Sequence, residues 1–183
     1  MAKSAPTKFA SAKPARAKSA AAKPAAVAPG ALQEGSKAPS FRLPRDGGGA
    51  VSLADYKGRA LVLYFYPKAD TPGCTLEAKD FSRLRPRFTK AGADILGVSA
   101  DPVAALDKFR DKQDLSVTLA SDETREMLTA YGAWGEKSLY GRTFMGVIRK
   151  TVLIGPDGRI VRIWPKVKVA GHAEEVLEAM KAL

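Results

Sequence analysis

Leu61-Val62-Leu63-Tyr64-Phe65-Tyr66-Pro67-Lys68-Ala69-Asp70-Thr71-Pro72-Gly73-Cys74-Thr75-Leu76-Glu77 is the stretch from which the rest of the chain is read. From Ala60 to Tyr66 the run is apolar without interruption, the mark of a strand covered on both faces. Two prolines and an Asp-Thr pair end it. Cys74 then opens a helix expected to reach Thr89. A thiol at that place meets unpaired N–H groups and the positive end of the helix dipole, which favour the thiolate, its reactive form. Cys74 is the only cysteine of the 183 residues. Any disulfide must therefore be made with another molecule, and a multi-cysteine metal site is excluded. No metal and no cofactor are expected.

Working outward, strands and helices alternate. Phe41-Arg42-Leu43 and Val51-Ser52-Leu53 flank the Asp46-Gly47-Gly48-Gly49 turn as a short hairpin. In the helix after Cys74, Leu76, Phe81, Leu84 and Phe88 form the apolar face, and Pro86 is expected to kink or shorten it. Asp94 to Ser99 is a strand. Asp101 is expected to cap a helix with Pro102 at its first position and Val103, Leu106 and Phe109 inward. Val117 to Ala120 is a strand. Asp122 is expected to cap a helix carrying Met127, Leu128 and Tyr131. Gly132 to Gly146 reads as loop. Lys150–Ile154 and Arg159–Trp164 form a hairpin about Gly155-Pro156-Asp157-Gly158, and Ala173 to Leu183 closes as a helix. This order is that of an α/β sandwich. A reactive cysteine after an early strand, with a terminal hairpin and helix, gives a thioredoxin-like fold: a central mixed sheet flanked by helices.

The spacing of Pro67, Thr71 and Cys74, with Glu77 beyond, resembles the active-site pattern of the peroxiredoxins. Tyr64-Phe65-Tyr66-Pro67-Lys68 and Thr71-Pro72-Gly73-Cys74-Thr75 are similar to the bacterioferritin comigratory protein, or PrxQ, class. So are Gly97-Val98-Ser99-Ala100-Asp101, Leu119-Ala120-Ser121-Asp122, Tyr131-Gly132, Gly146-Val147-Ile148-Arg149-Lys150-Thr151 and Gly171-His172-Ala173-Glu174-Glu175-Val176-Leu177. The resemblance covers residues 34–183.

It implies a thiol-dependent peroxidase of antioxidant defence, reducing hydrogen peroxide and organic hydroperoxides. Cys74 attacks the peroxide O–O bond and becomes a sulfenic acid, which a thiol reduces. Arg149 matches the family's active-site arginine, whose fixed charge favours the thiolate and holds the developing oxyanion. Thr71 offers a hydroxyl that accepts a proton from peroxide while donating to sulfur or oxygen. Pro67 shields the thiolate. Glu77 orients Arg149, and the N–H groups of Gly73 and Cys74 serve as oxyanion donors. The chain departs from the class in one place: many members carry a resolving cysteine five residues after the first, and here that residue is Lys79. The sulfenic acid must then be resolved by an external thiol (thioredoxin, glutaredoxin or glutathione) or by a second Cys74. Lys79 adds positive charge that favours an acidic partner.

Residues 1–33 carry six of the chain's cations and no acid, leaving +5 of the net +11 for the rest. This Ala/Lys/Pro-rich segment, with Ala-Lys-Pro-Ala at 12–15 and 22–25, reads as a disordered tail, and residues 34–183 as the folded domain. The tail serves as a solubilising extension, as a sequence-independent arm for nucleic acid, or as a transit peptide, against which stand its scarce arginine and its prolines. A thioredoxin-fold chaperone or DNA-associated redox sensor is the alternative function. No run is expected to cross a bilayer, the N-terminus lacks a secretory signal's apolar core, and one cysteine fits a reducing compartment. A cytoplasmic (with the tail on nucleic acid, nucleoid-associated) monomer or weak dimer is expected. His172 reads as a terminus or surface residue. Trp134, Tyr140, Phe144 and Met145 read as pocket mouth or packing.

Overall fold

The structure is a computed structural model that describes residue 1, residues 32–139 and residues 141–183. The tail and Tyr140 expectations therefore lie outside the described residues. A hairpin of β1 (Arg42–Pro44) and β2 (Ala50–Ser52) leads through a short 3-10 turn at Leu53–Tyr56 into β3 (Ala60–Phe65). There follow α1 (Pro72–Lys90), β4 (Ala93–Ser99), α2 (Val103–Gln113), β5 (Thr118–Ser121), α3 (Glu126–Ala130), β6 (Trp134–Leu139), β7 (Arg142–Val147), β8 (Lys150–Ile154), β9 (Ile160–Trp164) and α4 (His172–Lys181). The main sheet has the order β5-β4-β3-β8-β9. β4 and β5 run parallel to β3 and to each other; β8 and β9 run antiparallel to their neighbours. This is the mixed sheet of a thioredoxin-like fold.

β3 lies at the centre and shows why its run is wholly apolar. Val62, Tyr64 and Tyr66 pack with Phe81, Leu84 and Phe88 of α1, Phe109 of α2 and Val176 and Leu177 of α4. Leu61, Leu63 and Phe65 pack on the other face with Phe41, Leu43, Leu128 and Tyr131. Period-2 alternation thus splits one strand between two cores.

Several expectations are corrected. Pro86 does not shorten α1, which runs on to Lys90. The Ser82 carbonyl, which loses its intrahelical donor at Pro86, instead accepts from the Ser116 hydroxyl at 3.2 Å, and the Ser116 N–H donates to Ser82 Oγ at 3.1 Å. Leu76 is exposed rather than inward; Ala78 and Glu77 take the buried positions of that turn. Asp101 does not cap α2, whose N-cap is Pro102. Asp122 lies upstream of the α3 N-cap, Arg125, yet its carboxylate accepts the Leu128 N–H at 2.8 Å. The segment read as loop forms the β6–β7 hairpin. β7 is exposed over Arg142–Met145 and contributes only Val147 to the core, so it lacks the inward apolar alternation that marks a strand. His172 is buried: its Nε2 lies 2.8 Å from Thr151 Oγ1, and its ring meets Phe81 and Trp164 edge-on.

Candidate active site

Three segments converge on Cys74. The first is the loop from Pro67 to Thr71, which ends β3. Thr71 is the N-cap of α1 with extended backbone (φ −93°, ψ 153°), and Pro72 fills the first helical position, where a missing N–H costs nothing. The second is the first turn of α1, which buries Cys74 to 2% exposure. The third is the link between β7 and β8, which supplies Arg149. Its backbone is fixed by the Val167 N–H, donated to the Arg149 carbonyl at 3.1 Å.

Arg149 bridges the site. Its Nη2 donates to Cys74 Sγ at 3.2 Å, and its Nη1 donates to Glu77 Oε2. Cys74 and Glu77 stand one helical turn apart, so both reach the same guanidinium. The Glu77 side chain is 1% exposed and that of Arg149 17%. Burial pushes the Glu77 carboxyl up to about 7, against the pull of Arg149. For Arg149, burial works to lower the value, but Glu77 and the Cys74 sulfur outweigh it and the guanidinium is held above its ordinary range. It stays charged. Glu77 Oε1 has no hydrogen-bond partner among the described residues, so all of the carboxylate's direct compensation comes from Arg149.

The other expected residues fall around this centre. Thr71 Oγ1 donates to the Lys68 carbonyl at 2.9 Å rather than to sulfur, which leaves its lone pairs free to accept. At Gly73 a Cβ would stand 3.4 Å from Arg149 Nη2, so the guanidinium packs against the bare helix start. The helical ladder begins with the Thr75 N–H on the Thr71 carbonyl at 2.8 Å. The Gly73 and Cys74 N–H groups precede it and are available as donors. Pro67 is half-buried at the loop's start, and Lys79 is exposed. Trp134 is half-buried beneath Arg125, whose guanidinium carbon lies 4.7 Å from the ring centre, and Phe144 and Met145 are exposed on β7.

Asp101 belongs to this site although its sequence context reads as a helix cap. Its Oδ2 accepts the Ala69 N–H at 2.7 Å and the Ser99 hydroxyl at 2.9 Å. No local signal separates a cap from a carboxylate that turns back to a loop 32 residues away.

A buried thiol at a helix start, touched by an arginine that a buried glutamate holds, on a thioredoxin-like sheet, is the arrangement of a peroxide-reducing thiol enzyme. The comparisons agree: the AhpC/TSA family profile matches residues 35–163, and the chain belongs to that family, the peroxiredoxins, which are thiol-dependent peroxidases. Within it the similarity is to the bacterioferritin comigratory protein, or peroxiredoxin Q, class. Peroxiredoxin Bcp of Xanthomonas campestris is 48% identical over 147 residues, spanning 79% of this chain and 92% of that one. Peroxiredoxin Bcp of Escherichia coli is 41% identical over 147 residues, spanning 80% and 94%. Among solved structures, Xylella fastidiosa PrxQ superposes with a TM-score of 0.79 at 40% identity, covering 84% of this chain and 98% of its own.

Proposed function

We propose that Cys74 is the peroxide-attacking nucleophile of a one-cysteine mechanism, and that Arg149, Thr71, Pro67, Glu77 and Gly73 serve it. The observation that carries this reading is the 3.2 Å contact from Arg149 Nη2 to Cys74 Sγ. The thiolate attacks one peroxide oxygen. The S–O bond forms, the O–O bond breaks, sulfur loses two electrons, and the leaving oxygen takes a proton to depart as water or alcohol. Arg149 and the N–H groups of Gly73 and Cys74 stabilise charge on the oxygens, and Thr71 accepts a hydrogen bond from the attacked oxygen, whose proton passes to the leaving oxygen. Glu77 holds Arg149 in place, and Pro67 limits the entry of water.

With no second cysteine in the 183 residues, an external thiol attacks the sulfenic acid, releasing water and leaving a mixed disulfide. A second thiol then regenerates Cys74 and leaves as the oxidised disulfide. Organic hydroperoxides are included as substrates: the related bacterioferritin comigratory protein of Xanthomonas campestris is described by its alkyl peroxide reduction activity. Mass spectrometry of peroxide-treated protein, with and without thioredoxin, glutaredoxin or glutathione, tests the mechanism. A sulfenic acid that becomes a Cys74 mixed disulfide is expected. A Cys74 that oxidises no faster than free cysteine overturns it.

The tail supports a second, separable reading. Six cations and no acid in residues 1–33 suit it to non-specific nucleic-acid binding, outside the catalytic domain of residues 34–183. Filter binding at low salt compares the full chain with one beginning at Gln33. Loss of DNA affinity on removal supports this reading, and unchanged affinity leaves the tail a solubilising extension.

A further inference from the structure

The loop from Pro67 to Thr71 is held from outside at two points. Ala69 gives its N–H to Asp101 Oδ2 at 2.7 Å. The next residue, Asp70, sits in the left-handed region at φ 58°, and its carboxylate accepts from Lys112 Nζ at 2.6 Å and Gln113 Nε2 at 2.9 Å, at the end of α2. A non-glycine residue persists at such a φ when its surroundings over-determine it. Asp101 is itself fixed. The Ser99 hydroxyl donates to the same Oδ2, the Asp101 N–H returns to Ser99 Oγ at 3.2 Å, and the Ser121 hydroxyl donates to the Asp101 carbonyl at 2.7 Å. A carboxylate so tied at the end of β4 makes a rigid anchor for the backbone two residues ahead of Thr71.

We propose that Asp101 is a positioning residue for the peroxide step: through the Ala69 N–H it sets the loop, and with it Thr71 and Pro67, relative to Cys74. The inference rests on the peroxidase reading above. Asp101 touches neither sulfur nor peroxide. Its effect is on geometry, where displacement of a reacting group by an ångström can cost two orders of magnitude in rate.

Two reactions of the one thiol separate this role from plain stability. Oxidation by hydrogen peroxide needs the Thr71 hydroxyl placed to accept a hydrogen bond from the peroxide, and the shaped pocket. Alkylation by iodoacetamide needs only an accessible thiolate. In the full chain, Asp101→Ala is expected to lower the second-order rate of Cys74 oxidation about ten- to a hundredfold while alkylation stays within about twofold. Asp101→Asn keeps an oxygen for the Ala69 N–H and is expected to recover most of the oxidation rate. Oxidation unchanged in Asp101→Ala, or oxidation and alkylation changing together, overturns the proposal. If Asp101→Ala does not fold, the surface pair Lys112→Ala/Gln113→Ala, which frees Asp70 in the same loop, decides. It must slow oxidation at least about threefold with alkylation unchanged, and no slowing overturns the proposal. A wild-type Cys74 oxidising no faster than free cysteine sinks the peroxidase reading itself, a result distinct from all of these.

Discussion

One guanidinium serves both Arg149–Cys74 and Arg149–Glu77: Nη2 donates to the sulfur at 3.2 Å while Nη1 is held by the carboxylate one turn further along α1. The two α1 side chains lie on the buried face of the helix, and Arg149 enters from the β7–β8 link. Because Glu77 is almost fully enclosed, the guanidinium cannot leave it without abandoning a buried carboxylate. The arginine is thereby aimed at sulfur with no ligand present, and on the proposed mechanism its orientation costs nothing during the reaction.

Replacing Arg149 therefore separates charge from geometry. Arg149→Ala is expected to lower the second-order rate of Cys74 oxidation by about 10²- to 10³-fold, the usual cost of losing a preorganised donor. Arg149→Lys keeps the charge but has no planar fork to span sulfur and carboxylate together. It is expected to recover less than a tenth of the wild-type rate. Stopped-flow oxidation by hydrogen peroxide measures both, and a Lys variant equal to wild type would show that charge alone suffices.

The pH dependence of stability carries two opposed contributions. Glu77, raised by burial to about 7 from an ordinary 4.5, binds a proton more tightly folded than unfolded. Its contribution is full below pH 4.5 and is lost as pH rises through about 7. His172, pushed down by burial to about 4 from 6.5, acts the other way: its contribution is present above pH 6.5 and is lost as pH falls toward 4. Urea unfolding between pH 8 and pH 5 should show Glu77→Gln losing stability on acidification more steeply than wild type, by roughly 1–3 kcal/mol. His172→Gln should lose less than wild type. Parallel curves for all three proteins would refute both assignments.

The order of elements was legible because β3 is apolar throughout and Pro67, Thr71 and Cys74 are local in sequence. Arg149, 75 residues from Cys74, is reachable only through a resemblance, since nothing near it in the sequence says that it faces the chain's one thiol. Helical periodicity predicted Leu76 inward, but Glu77 is buried nearby because Arg149 neutralises it, and apolar patterning cannot anticipate a buried pair. His172 reads as superficial in the sequence because its burial is created by Phe81 and Trp164 from distant segments. The β6–β7 hairpin carries no strand signal in the sequence because its exposed side chains and glycines lack an inward face. Asp101 reads as a cap because the donor that competes for its carboxylate, the Ala69 N–H, lies elsewhere in the chain.

Pro86 is tolerated inside α1 because Ser116 serves the carbonyl it strands. Ser116→Ala should cost about 0.5–1 kcal/mol by thermal or urea unfolding. Pro86→Ala returns an N–H to Ser82 and should stabilise by about 1 kcal/mol or more. In the double variant the loss of the Ser116 hydroxyl should cost measurably less than in wild type, because the Ser82 carbonyl then has its helical donor. Strict additivity would mean that the two devices are unrelated.

Gly97 on β4 pairs in register with Tyr64 on β3, and a Cβ there would stand 2.6 Å from both Cζ and the hydroxyl of Tyr64 and 3.0 Å from Leu119 Cδ2. The Tyr64 ring cannot easily yield. It is fully buried, with its centre 4.7 Å from that of Phe81 and 5.7 Å from that of Tyr66 in stacked pairs. Gly97→Ala should therefore destabilise by about 1–3 kcal/mol through overpacking. The displaced ring belongs to the core cluster that holds Cys74, so peroxide oxidation should slow as well. Tyr64→Phe removes a hydroxyl that has no partner among the described residues and should be nearly neutral alone. It should relieve only part of the Gly97→Ala penalty, since the ring carbon remains in the way. Full rescue in the double variant would place the whole conflict at the hydroxyl and leave the ring's position, and with it the wall behind Cys74, undisturbed.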